Sequence, residues 1–174
     1  RGAADRLFVN TAGIGVVPDG VELSADRARP GDAIVLSGPI GLHGVAIMSV
    51  REGLEFEVEI ASDTQALNRL VAAILDVERG IHVLRDPTRG GLSSVLNEIA
   101  ATSGVGMVLD EATIPIPGPV RAACEMLGLD PFHVANEGKL VAIVPAASAA
   151  AVMAAMRELP EGEGAAVIGE VVAD

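Results

Sequence analysis

Short apolar runs alternate with segments of helical period along this chain, and glycine marks many of the junctions. Ala33–Leu36 follows the turn Pro30-Gly31-Asp32 and reads as a strand, and a helix from Gly44 to Glu52 is stopped by Gly53. Ser62 with Gln65 three residues on forms a capping-box pattern, and Leu67, Leu70, Val71, Ile74 and Leu75 then share one helical face until Gly80. Ile81–Leu84 predicts a strand. Leu92, Val95, Leu96 and Ile99 predict a helix, and Val105–Leu109 another strand. Pro119–Leu127 is a helix with proline near its start and Gly128 as its stop. Leu140–Val144 is a strand turning at Pro145 into an alanine-rich helix, and Ala166–Val172 is the last strand. Two further segments read as β: the start, Arg6–Val17, and Leu54–Ile60, whose three Glu alternate with apolar residues as the acidic solvent face of an edge strand. Strands interleaved with helices call for a layered α/β or α+β fold, and the 174 residues have one domain's length.

The core such a chain can build is aliphatic. Half its residues are hydrophobic, yet it has no Trp, no Tyr and only 3 Phe, so Val, Leu, Ile, Ala and Met must fill the interior. With 24 acidic against 12 basic residues the net charge is −12, which repels a phosphate backbone, and stacking platforms are missing. Nucleic acid is therefore not an expected partner. A membrane span is not expected either: the uncharged run Leu140–Met156 is short for one and carries Pro145 and Ser148. The single Cys124 allows no internal disulfide, and no apolar stretch of a signal peptide follows Arg1-Gly2-Ala3-Ala4-Asp5, so a cytoplasmic chain is expected.

Three stretches carry more than core patterning. Arg85-Asp86-Pro87-Thr88-Arg89-Gly90-Gly91-Leu92 lies where a strand gives way to a helix. The free N–H groups of a helix start suit an anion, Asp86 can hold a metal or orient a partner chain, and Arg89 can meet an anion with two hydrogen bonds. Equally, Asp86 or Thr88 can simply cap the helix while the glycines turn the chain. Ser37-Gly38-Pro39-Ile40-Gly41-Leu42-His43-Gly44 is another strand–loop–helix junction, able to clasp an anion or merely to connect tightly. His43 has no second histidine at ligand spacing, so no metal site is read there. Ala135-Asn136-Glu137-Gly138-Lys139 precedes a strand; Glu137 is either a general base at the mouth of a cleft or a solvated turn residue.

Taken in order with Arg51-Glu52-Gly53-Leu54, Leu96-Asn97-Glu98-Ile99-Ala100, Leu127-Gly128-Leu129-Asp130-Pro131 and the opening Asn10-Thr11-Ala12-Gly13-Ile14-Gly15, these stretches resemble the HypE family. That family comprises the carbamoyl dehydratases that make the cyanide ligands of NiFe hydrogenases. The resemblance implies the C-terminal domain fold shared with aminoimidazole ribonucleotide synthetase, an α+β fold with a mixed sheet and flanking helices. It implies that residues 1–174 are one C-terminal domain of a longer protein, inert by itself, with an N-terminal domain holding most of the ATP and magnesium site. A flexible tail ending in Pro-Arg-Ile-Cys would carry a thiocarboxamide on its cysteine and end as a thiocyanate.

Carried over to this chain, the resemblance makes Glu137 the proton-removing carboxylate, with Asn136 beside it as a catalytic residue. Asp86, Thr88, Arg89, Gly90 and Gly91 would face the nucleotide's phosphates, and Ser37, Gly38, Gly41, His43 and Gly44 would form the neighbouring wall. Expected partners are the carbamoyltransferase HypF and the HypC–HypD complex, and the whole protein is expected to be a homodimer. The departures are Leu42, where the family has Asp, and Thr64-Gln65-Ala66, where it has a proline-containing turn. Val172-Ala173-Asp174 stands without the cysteine tail, and Cys124 falls inside a predicted core helix. The same superfamily includes selenophosphate synthetase, thiamine-phosphate kinase and the purine synthetases, and a non-catalytic docking module is the rival of a different class.

Overall fold

The protein was analysed as a computed structural model, which describes residues 10–53 and 60–174. Five strands form one sheet in the order β2-β4-β1-β5-β3: β1 Asp32–Leu36, β2 Val83–Arg85, β3 Gly106–Leu109, β4 Val141–Pro145 and β5 Ala166–Val172. Every pairing among these strands is antiparallel, so the layered α+β class is present, and among the described residues its sheet is antiparallel rather than mixed.

Both faces of the central strands are covered, which is why β1 and β4 read as unbroken apolar runs. On β1, Ile34 and Leu36 face one core with Val141, Ile143 and Ile168 and with Leu92, Val95, Leu96 and Ile99 of α3 (Gly91–Ser103). Ala33 and Val35 face the other core with Ala142 and Val144, against Leu70 and Ile74 of α2 (Asn68–Val77) and Val152 and Met156 of α5 (Ala149–Arg157). Truncating a fully buried residue such as Ile143 to Ala costs about 2–5 kcal/mol in a sheet filled from both sides.

A third, smaller cluster joins Val45 of α1 (Leu42–Glu52) to Val120, Ala123 and Cys124 of α4 (Gly118–Leu127), with Val134 beside them. Burial pushes the Cys124 thiol up, and the nearby Asp130 adds to the shift. Gly53, Gly104 and Gly128 each end a helix in the left-handed conformation that glycine adopts without strain.

Three expectations are corrected. Asn10–Val17 belongs to no strand, and Ile14, Val16 and Val17 are exposed, because no described strand pairs with them; residues 6–9 of the expected β start lie outside the described residues, as do residues 54–59 of the expected acidic strand. The capping box does not form: α2 starts at Asn68, after Leu67, with no side-chain cap. That helix also ends before Gly80, at Glu78, whose carboxylate accepts the Gly80 N–H at 2.6 Å. No helix among the described residues is long and apolar enough to cross a membrane.

Candidate functional site

The sheet register brings the three motif stretches to one end of the fold. Val141, at the start of β4, pairs with Leu36 at the end of β1 and with Arg85 at the end of β2. The chain therefore leaves β1 into Ser37–Gly44, leaves β2 into Asp86–Gly91, and enters β4 from Ala135–Lys139, all at the same edge. Ala166, opposite Leu36, brings the Pro160–Ala165 stretch there too.

Asn136 ties these loops together. It is only 2% exposed, and its Oδ1 accepts the Gly41 N–H at 2.7 Å while its Nδ2 donates to the Pro87 carbonyl at 3.1 Å and the Val134 carbonyl at 3.0 Å. Its backbone N–H donates to the Pro87 carbonyl as well, at 3.2 Å. Both amide hydrogens are spent on the protein, so Asn136 is a junction between loops; its amide has no donor left for a substrate.

The glycines serve the same convergence. A Cβ on Gly91, whose φ is +66°, would sit 2.7 Å from the Val134 carbonyl oxygen and would also strike that of Phe132. On Gly44 it would meet the Ala135 oxygen at 2.8 Å and the Val134 side chain, and the Gly44 N–H donates to that same oxygen at 3.1 Å. These glycines let backbone approach backbone, and the space their missing side chains leave is filled by this chain rather than open to an anion. Gly41 is likewise closed by Val120, and Gly90 by the Ser94 hydroxyl. Ser37 is buried: its Oγ accepts the Leu140 N–H at 3.0 Å, and its own N–H donates to the Leu140 carbonyl at 3.0 Å.

The polar side chains of the Asp86 loop behave differently. Asp86 is 61% exposed and stands 3.9 Å from the Arg85 guanidinium, which itself reaches Glu98 at 3.0 Å. Arg89 is exposed and Thr88 half-buried. Among the described residues no group of three or more His, Cys, Asp or Glu is placed to hold a metal ion.

The residues that sequence reading missed lie in Ser62–Gln65, which crosses this end of the fold as a strap anchored by all four of its side chains. The Ser62 and Thr64 hydroxyls meet His43 Nδ1 at 2.9 and 3.1 Å. Asp63 pairs with the Lys139 ammonium at 2.6 Å, and Gln65 Nε2 donates to the carbonyls of Gly138 and Glu161 at 3.1 and 3.3 Å. Gly138, with φ +71°, lies so close beneath that a Cβ there would be 2.6 Å from the Gln65 nitrogen. Lys139 is 4% exposed, and its pair with Asp63 lines a cleft of about 370 Å³ with Ser37, Gly38, Gln65 and Glu161. Leu42, where the resemblance leads one to expect Asp, lines that cleft and packs on the Val45–Val120 cluster. A larger cleft of about 580 Å³, between α3 and β3, is lined by Leu96, Asn97, Ala100 and Asp130 of the family-like stretches but by none of the candidate catalytic or nucleotide-facing residues.

Glu137 stands apart in this network. It is half-buried, and among the described residues its carboxylate has neither a hydrogen-bond nor an ion-pair partner, while Asn136, Gly138, Lys139 and Leu140 are each held.

Residues 29–174 match the family described as AIR synthase related protein, C-terminal domain. The chain belongs to that family. This AIR synthase related chain is similar to the carbamoyl dehydratase HypE of Azotobacter vinelandii, at 61% identity over 174 residues, covering 100% of this chain and 51% of that protein. It thus spans about half the length of the curated relatives it matches. The crystal structure of Escherichia coli HypE superposes with a TM-score of 0.93 at 44% identity, covering 100% of this chain and 54% of that one. HypE in complex with ATP gives 0.81 at 52% identity, over 86% of this chain and 45% of that one. The HypE–HypF complex gives 0.88 at 43%, over 90% and 51%. Thiamine monophosphate kinase from Aquifex aeolicus, 18% identical with a TM-score of 0.57 over 86% of this chain and 50% of that one, shares the fold alone.

Proposed function

We propose that this chain is the C-terminal part of an ATP-dependent carbamoyl dehydratase that converts a cysteine-bound thiocarboxamide into a thiocyanate, the source of the cyanide ligands of NiFe hydrogenase. The observation that carries the reading is Glu137, a carboxylate without a partner among the described residues, on a loop whose other members are fixed. A general base needs a free acceptor held in place, and this loop offers one.

Co-substrate ATP supplies the phosphoryl group that makes the carbamoyl oxygen a leaving group. The carbamoyl oxygen takes that phosphoryl group as ADP departs. Glu137 removes one N–H proton, passes it to solvent, and removes the second as the carbon–oxygen bond breaks. Both N–H electron pairs thus end in the carbon–nitrogen bond, and the oxygen departs as phosphate. The exposed Arg89 faces the negative charge of the nucleotide, and the Ser37–Gly44 turn walls the adjoining space. ATP and magnesium bind mainly to an N-terminal part of the longer protein, which works as a homodimer in the cytoplasm. HypF supplies the carbamoyl group and a HypC–HypD complex receives the cyanide; the 174 residues alone are inert.

In the full-length protein, Glu137→Gln lowers the dehydration rate by about 10²–10⁴-fold while ATP still binds, as expected for loss of a general base. Rate is read by phosphate release from the carbamoylated protein. Parental turnover by this variant removes Glu137 from the chemistry and leaves a partner-docking module, tested by HypC–HypD pull-down, as the better reading.

A further inference from the structure

The Lys139–Asp63 pair sits where stability alone gives little reason for it. Drawing a lysine into a protein interior costs several kcal/mol of hydration, and a well-packed apolar pair of similar volume often serves at least as well. Here Lys139 is 4% exposed, its stem lies against Gly38, and the partner of its ammonium comes from the Ser62–Gln65 strap. Asp63 and Gln65 act on neighbouring groups: Asp63 on the Lys139 side chain, Gln65 on the Gly138 carbonyl, which also accepts from Lys139 Nζ at 3.4 Å. The peptide carrying that carbonyl follows Glu137 by one residue, and Gly138 turns there through a left-handed φ of +71°. On the other side Asn136 is fastened to Gly41 and Pro87, and beyond Lys139 the backbone of Leu140 is locked to Ser37 in both directions. Of the five residues 136–140, only Glu137 has no fastening of its own among the described residues, so its neighbours decide where its carboxylate stands.

We propose that Lys139, clamped by Asp63, is a positioning residue that together with Gln65 sets the placement of Glu137 through the Gly138 turn. The inference rests on the reading of Glu137 as the base. Neither Lys139 nor Asp63 exchanges a proton with the substrate in this scheme; both act on geometry.

The test uses the full-length protein and reads kcat for dehydration, KM for ATP and the thermal midpoint of each variant. The double variant Lys139→Met with Asp63→Asn replaces the ion pair by a neutral one, so its midpoint stays near that of the parent. Its kcat falls by about tenfold to a hundredfold with KM for ATP unchanged, because a shift of the order of 1 Å in a catalytic group has that effect. Gln65→Met, at a half-exposed position, loses the hold on Gly138 and shows the same split, smaller in size. Single Lys139→Arg, which keeps the charge, regains part of the rate. A purely structural pair gives the opposite result: kcat follows the folded fraction, and a stable double variant turns over like the parent. If the double variant does not fold, Gln65→Met decides alone, and parental kcat there overturns the proposal. Loss of turnover in Glu137→Gln beside parental rates in the double and Gln65 variants sinks the positioning role only; parental turnover in Glu137→Gln sinks both readings.

Discussion

Two loops at the same end of the sheet are built in opposite ways. Asn136–Leu140 is fastened from within, by a buried amide, an ion pair, a glutamine and a paired backbone, and among the described residues leaves one carboxylate unengaged. Asp86–Arg89 contributes the Pro87 carbonyl to that network but turns Asp86 and Arg89 outward, and among the described residues Asp86 makes just one long contact, to Arg85. The first loop is finished by this chain alone; the second presents polar groups to whatever lies in front of it. A group that must stand in one place for chemistry needs the first construction, whereas a group that meets a mobile ligand works from the second.

That contrast breaks most readily at the glycines. Gly91→Ala forces a Cβ against the carbonyls of Phe132 and Val134 at a left-handed φ, and a loss of about 3–4 kcal/mol in chemical denaturation is expected from overpacking and strain together. A loss under about 1 kcal/mol there would mean the two loops are not locked to each other. Asn136→Ala comes next: it leaves the Val134 carbonyl and the Gly41 N–H without their side-chain partner and takes one of its two donors from the Pro87 carbonyl, at a cost of about 2–3 kcal/mol. Hydrogen exchange should report faster opening at Gly41 in that variant. At the far end of the scale, Arg89→Ala leaves stability within about 0.5 kcal/mol of the parent, since its side chain is exposed. In the full-length protein the same change raises KM for ATP, and an unchanged KM would detach Arg89 from the nucleotide.

Where residues face a core on both sides, the sequence was easy to read. Residues 33–36 and 141–144 are apolar runs buried throughout, and α3 and α4 show one apolar face and a glycine stop. Local pattern misled where tertiary partners competed for the same side chains. Ser62 and Gln65 have the spacing of a capping box, yet Ser62 is spent on His43 and Gln65 on Gly138 and Glu161, so the helix begins later without them. Ile81 looks like strand, but it lies in the core just before the ladder opens at Val83. In the site, glycine-rich junctions were legible as special, but their purpose was not: the sequence shows a missing side chain without showing whether protein or ligand fills the gap. Lys139 and Asp63 are far apart along the chain, and no local signal joins them.

The burial of Cys124 has a practical corollary. Its sulfur is shut inside the α1–α4 cluster and held in the protonated form, the less nucleophilic one, at neutral pH. Thiol reagents should therefore ignore it in the native protein. In a longer chain bearing a carrier cysteine, alkylation or mass tagging would report the occupancy of that carrier without a background from Cys124, which need not be replaced.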